Sequence, residues 1–207
     1  SGTIPMCNEQ IALADMVERC FETEVIFTDE KQMARYMELQ KEFPFNLIPW
    51  EKFCFALHNC TYYKNADYQL NNDSLHRIPR WARLLILGGR GIGKNGYESF
   101  ESFAWITPVN GIKFYHVDMF AQCEDQAKTS FDDIWNILED NKVYYQQFFT
   151  WNREQIVNKK TSSIISYLTS GTKSKDSRRP GAIVHDEEHG YENYKQLSTN
   201  RSGLGKK

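Results

Sequence analysis

The chain has 207 residues, 41% hydrophobic and 25% charged, with a net charge of −2. That length suits one α/β domain with a sizeable core, and the balanced charge excludes an overall basic nucleic-acid binder, so any DNA contact has to be local. No apolar run approaches the ~20 residues of a membrane span, and Ser1-Gly2-Thr3 shows no basic-then-apolar leader.

In chain order, residues 8–42 carry apolar side chains at helical spacing (Ile11, Met16, Val17, Cys20, Phe21, then Met33, Tyr36, Met37) and predict one or two helices. Pro44 and Pro49 are expected to interrupt them. Residues 50–63 repeat the helical pattern through Phe53, Phe55, Leu57 and Cys60, and the Asn- and Asp-rich stretch 64–80 reads as a loop. Leu84–Leu87 predicts the first core strand, and residues 95–106 a helix with Tyr97, Phe100, Phe103 and Ala104 near one face. Phe114–Ala121 follows as a strand, 124–139 as an amphipathic helix, Ile164–Leu168 and Ala182–Val184 as short strands. Residues 142–160 have no clear period. The alternation of strand and helix predicts an α/β fold with a mostly parallel sheet flanked by helices. Five scattered cysteines without a C-x-x-C pair support neither a zinc knuckle nor a disulfide framework, which fits a reducing, cytoplasmic setting.

The most informative stretch follows Leu84–Leu87. Residues 88–95 read Gly-Gly-Arg-Gly-Ile-Gly-Lys-Asn and fit G-x-x-x-x-G-K, with Asn95 where Ser or Thr is expected. Backbone amides can surround a phosphate only where side chains keep clear, and Gly88, Gly89, Gly91 and Gly93 have no Cβ and tolerate positive φ. A helix starting near Asn95 would turn its free amides and positive dipole end toward the anion. Lys94 would reach the β- and γ-phosphates. Taken alone, the stretch is also consistent with a glycine-rich turn.

Hydrolysis needs oxygen ligands for Mg²⁺ and a base for the attacking water. Gly181-Ala-Ile-Val-His-Asp-Glu-Glu-His189 supplies both residue types after an apolar strand: Asp186 for the metal shell and Glu187 for the water. The bland alternative is a solvated acidic turn. His185 and His189 are four apart, but a strand through His185 would not keep a helical face and no third ligand is evident, so His189 is read as a hydrogen-bonding neighbour of the carboxylates.

These motifs in this order resemble the ATPase domain of tailed-phage terminase large subunits, the motors that package DNA into proheads. The carriers are the loop Gly89–Gly96, Asp125-Gln126-Ala127 on the helix after the second strand, Asp186-Glu-Glu-His-Gly-Tyr-Glu192, and Ser202-Gly-Leu-Gly-Lys-Lys207. The resemblance covers roughly residues 43–207, with 1–42 as a helical N-terminal segment. It implies a P-loop fold of the ASCE type, ATP with Mg²⁺, a ring of identical subunits, double-stranded DNA as the translocated partner, portal protein and small terminase subunit as further partners, and the cytoplasm of an infected bacterium. It assigns Gly88, Gly89, Arg90, Gly91, Ile92, Gly93, Lys94 and Asn95 to the nucleotide, with Asp186 and Asn95 at the metal. Glu187 becomes the catalytic base, and Arg90 either senses the γ-phosphate or holds the loop by a salt bridge. The family's adenine segment, Pro-Trp-Gln, stands here as Pro49-Trp50-Glu51. An ionised Glu51 accepts a hydrogen bond but donates none, and Trp50 either stacks on the base or packs in the core. Family members continue past the acidic motif with a coupling-motif strand, further sheet strands and a nuclease domain, so on the resemblance the ATPase domain is expected to be incomplete at its C-terminus, with no nuclease constellation assigned.

Two other functions compete. A P-loop phosphotransferase would need an acceptor pocket and a basic lid, for which Arg178-Arg179 is the compact candidate; adjacent Asp186 and Glu187 favour hydrolysis. A degenerate P-loop scaffold would draw support from Asn95 and Glu51. The basic run 173–179 is a candidate DNA contact, with a solvated loop as the alternative.

Overall fold

The computed structural model describes residues 7–64, 77–89, 91–121, 124–169, 179–186 and 204, and of Ala121, Glu124–Ala127 and Thr169 the backbone only. Helices α1 (Asn8–Thr23) and α2 (Glu30–Gln40) flank a short strand β1 (Ile26–Thr28), which pairs antiparallel with β2 (Thr61–Tyr63). Between them, α3 spans Pro49–Cys60. Pro49 starts this helix rather than breaking one, because its missing N–H falls among the first-turn donors that have no helical acceptor. Glu51 completes the start by accepting the Ile48 amide at 2.8 Å.

The centre of the molecule is α4, Lys94–Ile106. Every residue from Ser99 to Ile106 is buried, so this helix is a core element rather than an amphipathic cover. Phe100 packs edge-on against Phe43 (5.4 Å between centroids) and tilted against Phe55 (5.1 Å), while Phe103 touches Phe43 and stacks on Phe149. Tyr36 of α2 lies in the same apolar cluster. A single 3₁₀ turn, Pro108–Asn110, ends at Gly111 with φ 78°.

The main sheet contains β3 (Val117–Ala121), β4 (Phe149–Trp151), β5 (Gln155–Asn158), β6 (Ile164–Thr169) and β7 (Ala182–His185), in the order β4-β5-β6-β3-β7. Helix α5 (Glu124–Asp140) crosses from β3 and packs beside α4, and the one-turn α6 (Lys142–Tyr145) leads into β4. β3 is parallel to both β6 and β7, but β4, β5 and β6 are antiparallel neighbours. The sheet is therefore mixed, not mostly parallel. The missed hairpin lies in residues 142–160, where strands of three and four residues are too short to show a period.

Two further expectations are corrected. Leu84–Leu87 forms no strand: Leu84 and Ile86 pack against the core, while Leu85 and Leu87 are 69% and 86% exposed. An apolar run reports a demand for burial but does not supply a ladder partner. The strand expected from Phe114 starts only at Val117, because Phe114 is in the left-handed region with φ 58°. Among the described residues, no helix is long and apolar enough to cross a membrane.

Phe100→Ala should cost about 3–5 kcal/mol, the range for emptying a buried aromatic site, read as a shift of the denaturation midpoint.

Candidate functional site

The glycine loop enters α4 directly. Gly93 is the residue before the helix, with φ 96°, and Gly91 has φ 82°, so two of the four glycines occupy conformations that favour glycine. A Cβ on Gly93 would also run into the Glu51 carboxylate, whereas one on Gly88 would meet only the end of the Ile92 side chain, which can move aside. Lys94 reaches back across the loop, its Nζ donating to the Gly88 carbonyl at 3.2 Å. The first turn of α4 carries no acidic residue, which keeps its positive end open to an anion. The Lys94–Gly88 hydrogen bond thus spans the loop at a helix N-terminus, an end whose free amides favour an anion.

Trp50 and Glu51 come to this loop from α3. Trp50 is partly exposed and stacks on Tyr97 of α4 at 6.2 Å. Glu51 is 4% exposed, and burial raises its pKa. It supports the Ile48 amide and backs Gly93, so Trp50 is the member of the pair that a ligand could reach. Asn95 contributes its backbone carbonyl to Ser99 Oγ at 2.7 Å, and the same hydroxyl meets Asp133 of α5 at 3.0 Å.

Asp186 follows β7, and its amide donates to the Phe120 carbonyl at 3.0 Å, extending the ladder by one bond. The pleat sets its side: register pairs Val117 with Ala182 and Met119 with Val184 toward the α4 core, so Asp186 shares their face. Glu98, one turn along α4 from Lys94, is near enough to feel the Asp186 charge. Burial, and then the Asp186 charge, push the Glu98 carboxyl up to about 8. Sequence reasoning missed Glu98. Its signal was a carboxylate four residues after the loop lysine, on the same helical side.

A second missed feature braces the site from behind. Glu101, 6% exposed, accepts from Tyr97 Oη (2.7 Å) and Asn59 Nδ2 (2.6 Å) and pairs with His58 Nδ1 (3.1 Å). The His58 ring also donates to the Ala82 carbonyl, in the segment leading to the glycine loop. Burial opposes charging of His58, but the Glu101 carboxylate and these hydrogen bonds outweigh it, and the His58 pKa is raised. Cys54, Tyr97, Glu98 and Tyr115 also sense the Glu101 charge.

Arg90, Glu187, Glu188, His189 and the segment Ser202–Lys207, apart from an exposed Leu204, lie outside the described residues, as do the Asp125-Gln126-Ala127 side chains. Among the described residues, no group of three or more His, Cys, Asp or Glu side chains could hold a metal ion.

No protein-family model and no curated protein matches the sequence. Among solved structures, the chain is similar to the crystal structure of the HK97 bacteriophage large terminase, with a TM-score of 0.64 at 13% sequence identity. The match covers 86% of this chain and 35% of that one, so the chain spans about a third of the terminase's length. The fold is thus terminase-like: an α/β arrangement with a mixed sheet flanked by helices.

Two outcomes check this geometry. Gly93→Ala combines a left-handed backbone with a clash against Glu51 and should destabilise the protein by at least about 1–2 kcal/mol, measured by urea denaturation. His58 has a raised folded-state pKa, so its pairing stabilises fully below its unfolded pKa of about 6.5 and is lost as pH rises through the folded value. Thermal midpoints scanned from pH 5.5 to 9 should fall more steeply for the wild type than for His58→Gln.

Proposed function

We propose that this chain is a Mg²⁺-dependent ATPase, the motor module of a DNA-packaging machine related to phage large terminases. The observation that carries the reading is the glycine loop closed over the N-terminus of α4, whose second turn lies beside Asp186 at the end of a parallel strand. The fold likeness to the HK97 large terminase supports it.

On this reading Lys94 exchanges the Gly88 carbonyl for the β- and γ-phosphate oxygens, and the first amides of α4 receive the same anion. Trp50 would border the base, with Glu51 holding the loop behind it. Asp186 would hold Mg²⁺, joined by Asn95 through its amide oxygen, and the bound cation would neutralise charge on the phosphates. Glu187 would take the proton of the attacking water as its oxygen bonds to the γ-phosphorus, and the bond to the β–γ bridging oxygen breaks to leave ADP and phosphate. Arg90, within the loop, would offset the charge that develops on the transferred group. Burial holds the Glu98 carboxyl above its ordinary range, which would lessen its repulsion of the nucleotide. The same reading places the chain in a ring of identical subunits on double-stranded DNA, with portal protein and small terminase subunit as partners, in the cytoplasm of an infected bacterium.

Lys94→Ala should abolish Mg²⁺-ATP binding and hydrolysis, whereas Glu187→Gln should bind ATP with near wild-type affinity and lose turnover by at least about 100-fold, the usual contribution of a positioned general base. Equilibrium binding of a fluorescent ATP analogue and phosphate release, each with and without DNA, read the two effects. Wild-type turnover in Glu187→Gln would refute the base assignment. Absence of ATP binding by the wild-type chain would favour the scaffold reading, which the missing hydroxyl at residue 95 otherwise supports.

A further inference from the structure

The nucleotide site proposed above lies at the C-terminal ends of the parallel strands β3 and β7. The opposite end of the sheet has a different chemistry. Three segments meet there: 111–116, which leads into β3; 158–163, the turn between β5 and β6; and 179–181, which leads into β7. Backbone hydrogen bonds stitch them together. The Phe114 amide donates to the Thr161 carbonyl at 2.8 Å and the Tyr115 amide to Ser163 Oγ at 3.0 Å, while the Gly181 and Ala182 amides share the His116 carbonyl.

These segments contain Lys113, Lys159, Lys160 and Arg179, all exposed, and no Asp or Glu. β6, β3 and β7 are adjacent strands, each about 5 Å from the next, so the four cations start from a strip roughly 10–15 Å wide. That is on the scale of one Debye length at physiological salt, and the charges act as one field. In a chain of net charge −2, these three segments carry a local excess of positive charge.

The backbone adds an independent feature. Phe114 and Ser162 are the two non-glycine residues with positive φ among the described residues, at 58° and 55°, and they flank the same hydrogen bond. For a bulky side chain this conformation is strained, yet Phe114 is 57% exposed, so the strain does not serve to bury the ring. The turn beneath is rigid. The buried Asn158 side chain accepts from the Lys160 and Thr161 amides, and Thr161 Oγ1 donates to the Ile106 carbonyl at 2.7 Å. Backbone strain held by a fixed support is characteristic of binding sites.

We propose that this face binds the phosphodiester backbone of nucleic acid, with Lys113, Lys160 and Arg179 on phosphates, Lys159 at the margin, and Phe114 packed against the sugars and base edges. Closely spaced phosphates match a narrow strip of cations better than the sparser carboxylates of an acidic protein, and an exposed aromatic ring among them is a common partner for bases. The proposal takes from the motor reading only the expectation that the chain meets DNA; the face lies across the sheet from the nucleotide site, so the two fail separately.

The test is fluorescence anisotropy with a 30-base-pair duplex of arbitrary sequence, the matching single strand and poly-glutamate, without nucleotide, across 50–300 mM salt. Lys113→Gln/Lys160→Gln/Arg179→Gln should weaken DNA binding at least about tenfold at 0.1 M salt and lower the log–log salt slope by about 2–3. A matched triple on other surfaces, Lys31→Gln/Lys41→Gln/Lys64→Gln, should leave the slope within about 1 unit of wild type. Phe114→Gly relieves the positive φ, so it should keep or raise the thermal midpoint while weakening DNA binding several-fold, an outcome that a purely structural role for the ring would not give. Tighter binding of the duplex or of the single strand identifies which form the face holds. An unchanged slope in the first triple, an equal slope loss in the matched triple, or preferential binding of poly-glutamate would overturn the proposal. Loss of DNA binding in the first triple of a chain that does not hydrolyse ATP would sink the motor reading and leave this one standing.

Discussion

A carboxylate placed inside an aromatic core has to be matched, and most of the architecture around the candidate site follows from how Glu101 is matched. An unpaired charge there would be prohibitive. Tyr97, Asn59 and His58 supply three partners, from one turn back on the same helix and from the end of α3. Asn59 in turn accepts from Trp105 Nε1 at 2.5 Å, and His58 meets the Trp105 ring edge-on. The set ties the C-terminal end of α3 to α4. Deleting one partner from such a pair typically costs about 3–5 kcal/mol, chiefly because the remaining charge is left buried.

That lock carries the geometry of the glycine loop. α3 begins with Pro49, Trp50 and Glu51, and its register against α4 places Glu51 under Gly93 and Trp50 over Tyr97. His58 adds a tie to Ala82, upstream of the loop. The loop is thus supported by a buried polar network on one side and by Ser99 and Asp133 between α4 and α5 on the other. Rigid support of this kind is what a site needs if binding is not to spend its energy on ordering the chain. The sheet also separates two chemistries: the N-terminus of α4 carries no acidic residue in its first turn, while the three segments that lead into β3, β6 and β7 carry exposed cations beside Phe114.

Local chemistry was legible where one residue type carries it. Gly91 and Gly93 read as a loop because glycine tolerates the positive φ values found there. The helix after Lys94, the amphipathic helix 124–140 and the short strands at 164–169 and 182–185 were legible from period and burial appetite. Leu84–Leu87 misled, since alternating exposure of Leu85 and Leu87 depends on what lies beside the segment rather than on its own composition. Glu98 and Glu101 were silent for the same reason: a carboxylate on a helix reads as solvated until its neighbours are known, and here the neighbours are Asp186 in one case and His58, Asn59 and Tyr97 in the other.

The sequence by itself therefore determined the pieces whose physics is short-range: the glycine turn and its lysine, the helix that follows, and the acidic end of an apolar strand. Only the tertiary structure decided the mixed order of the sheet, the burial of α4 on every side of its last two turns, and the partners of Glu98 and Glu101. It also decided the meeting of Lys113, Lys160 and Arg179 at one edge. These are properties of residues tens of positions apart, and which of them become neighbours is decided by packing and strand register, which no local spacing encodes.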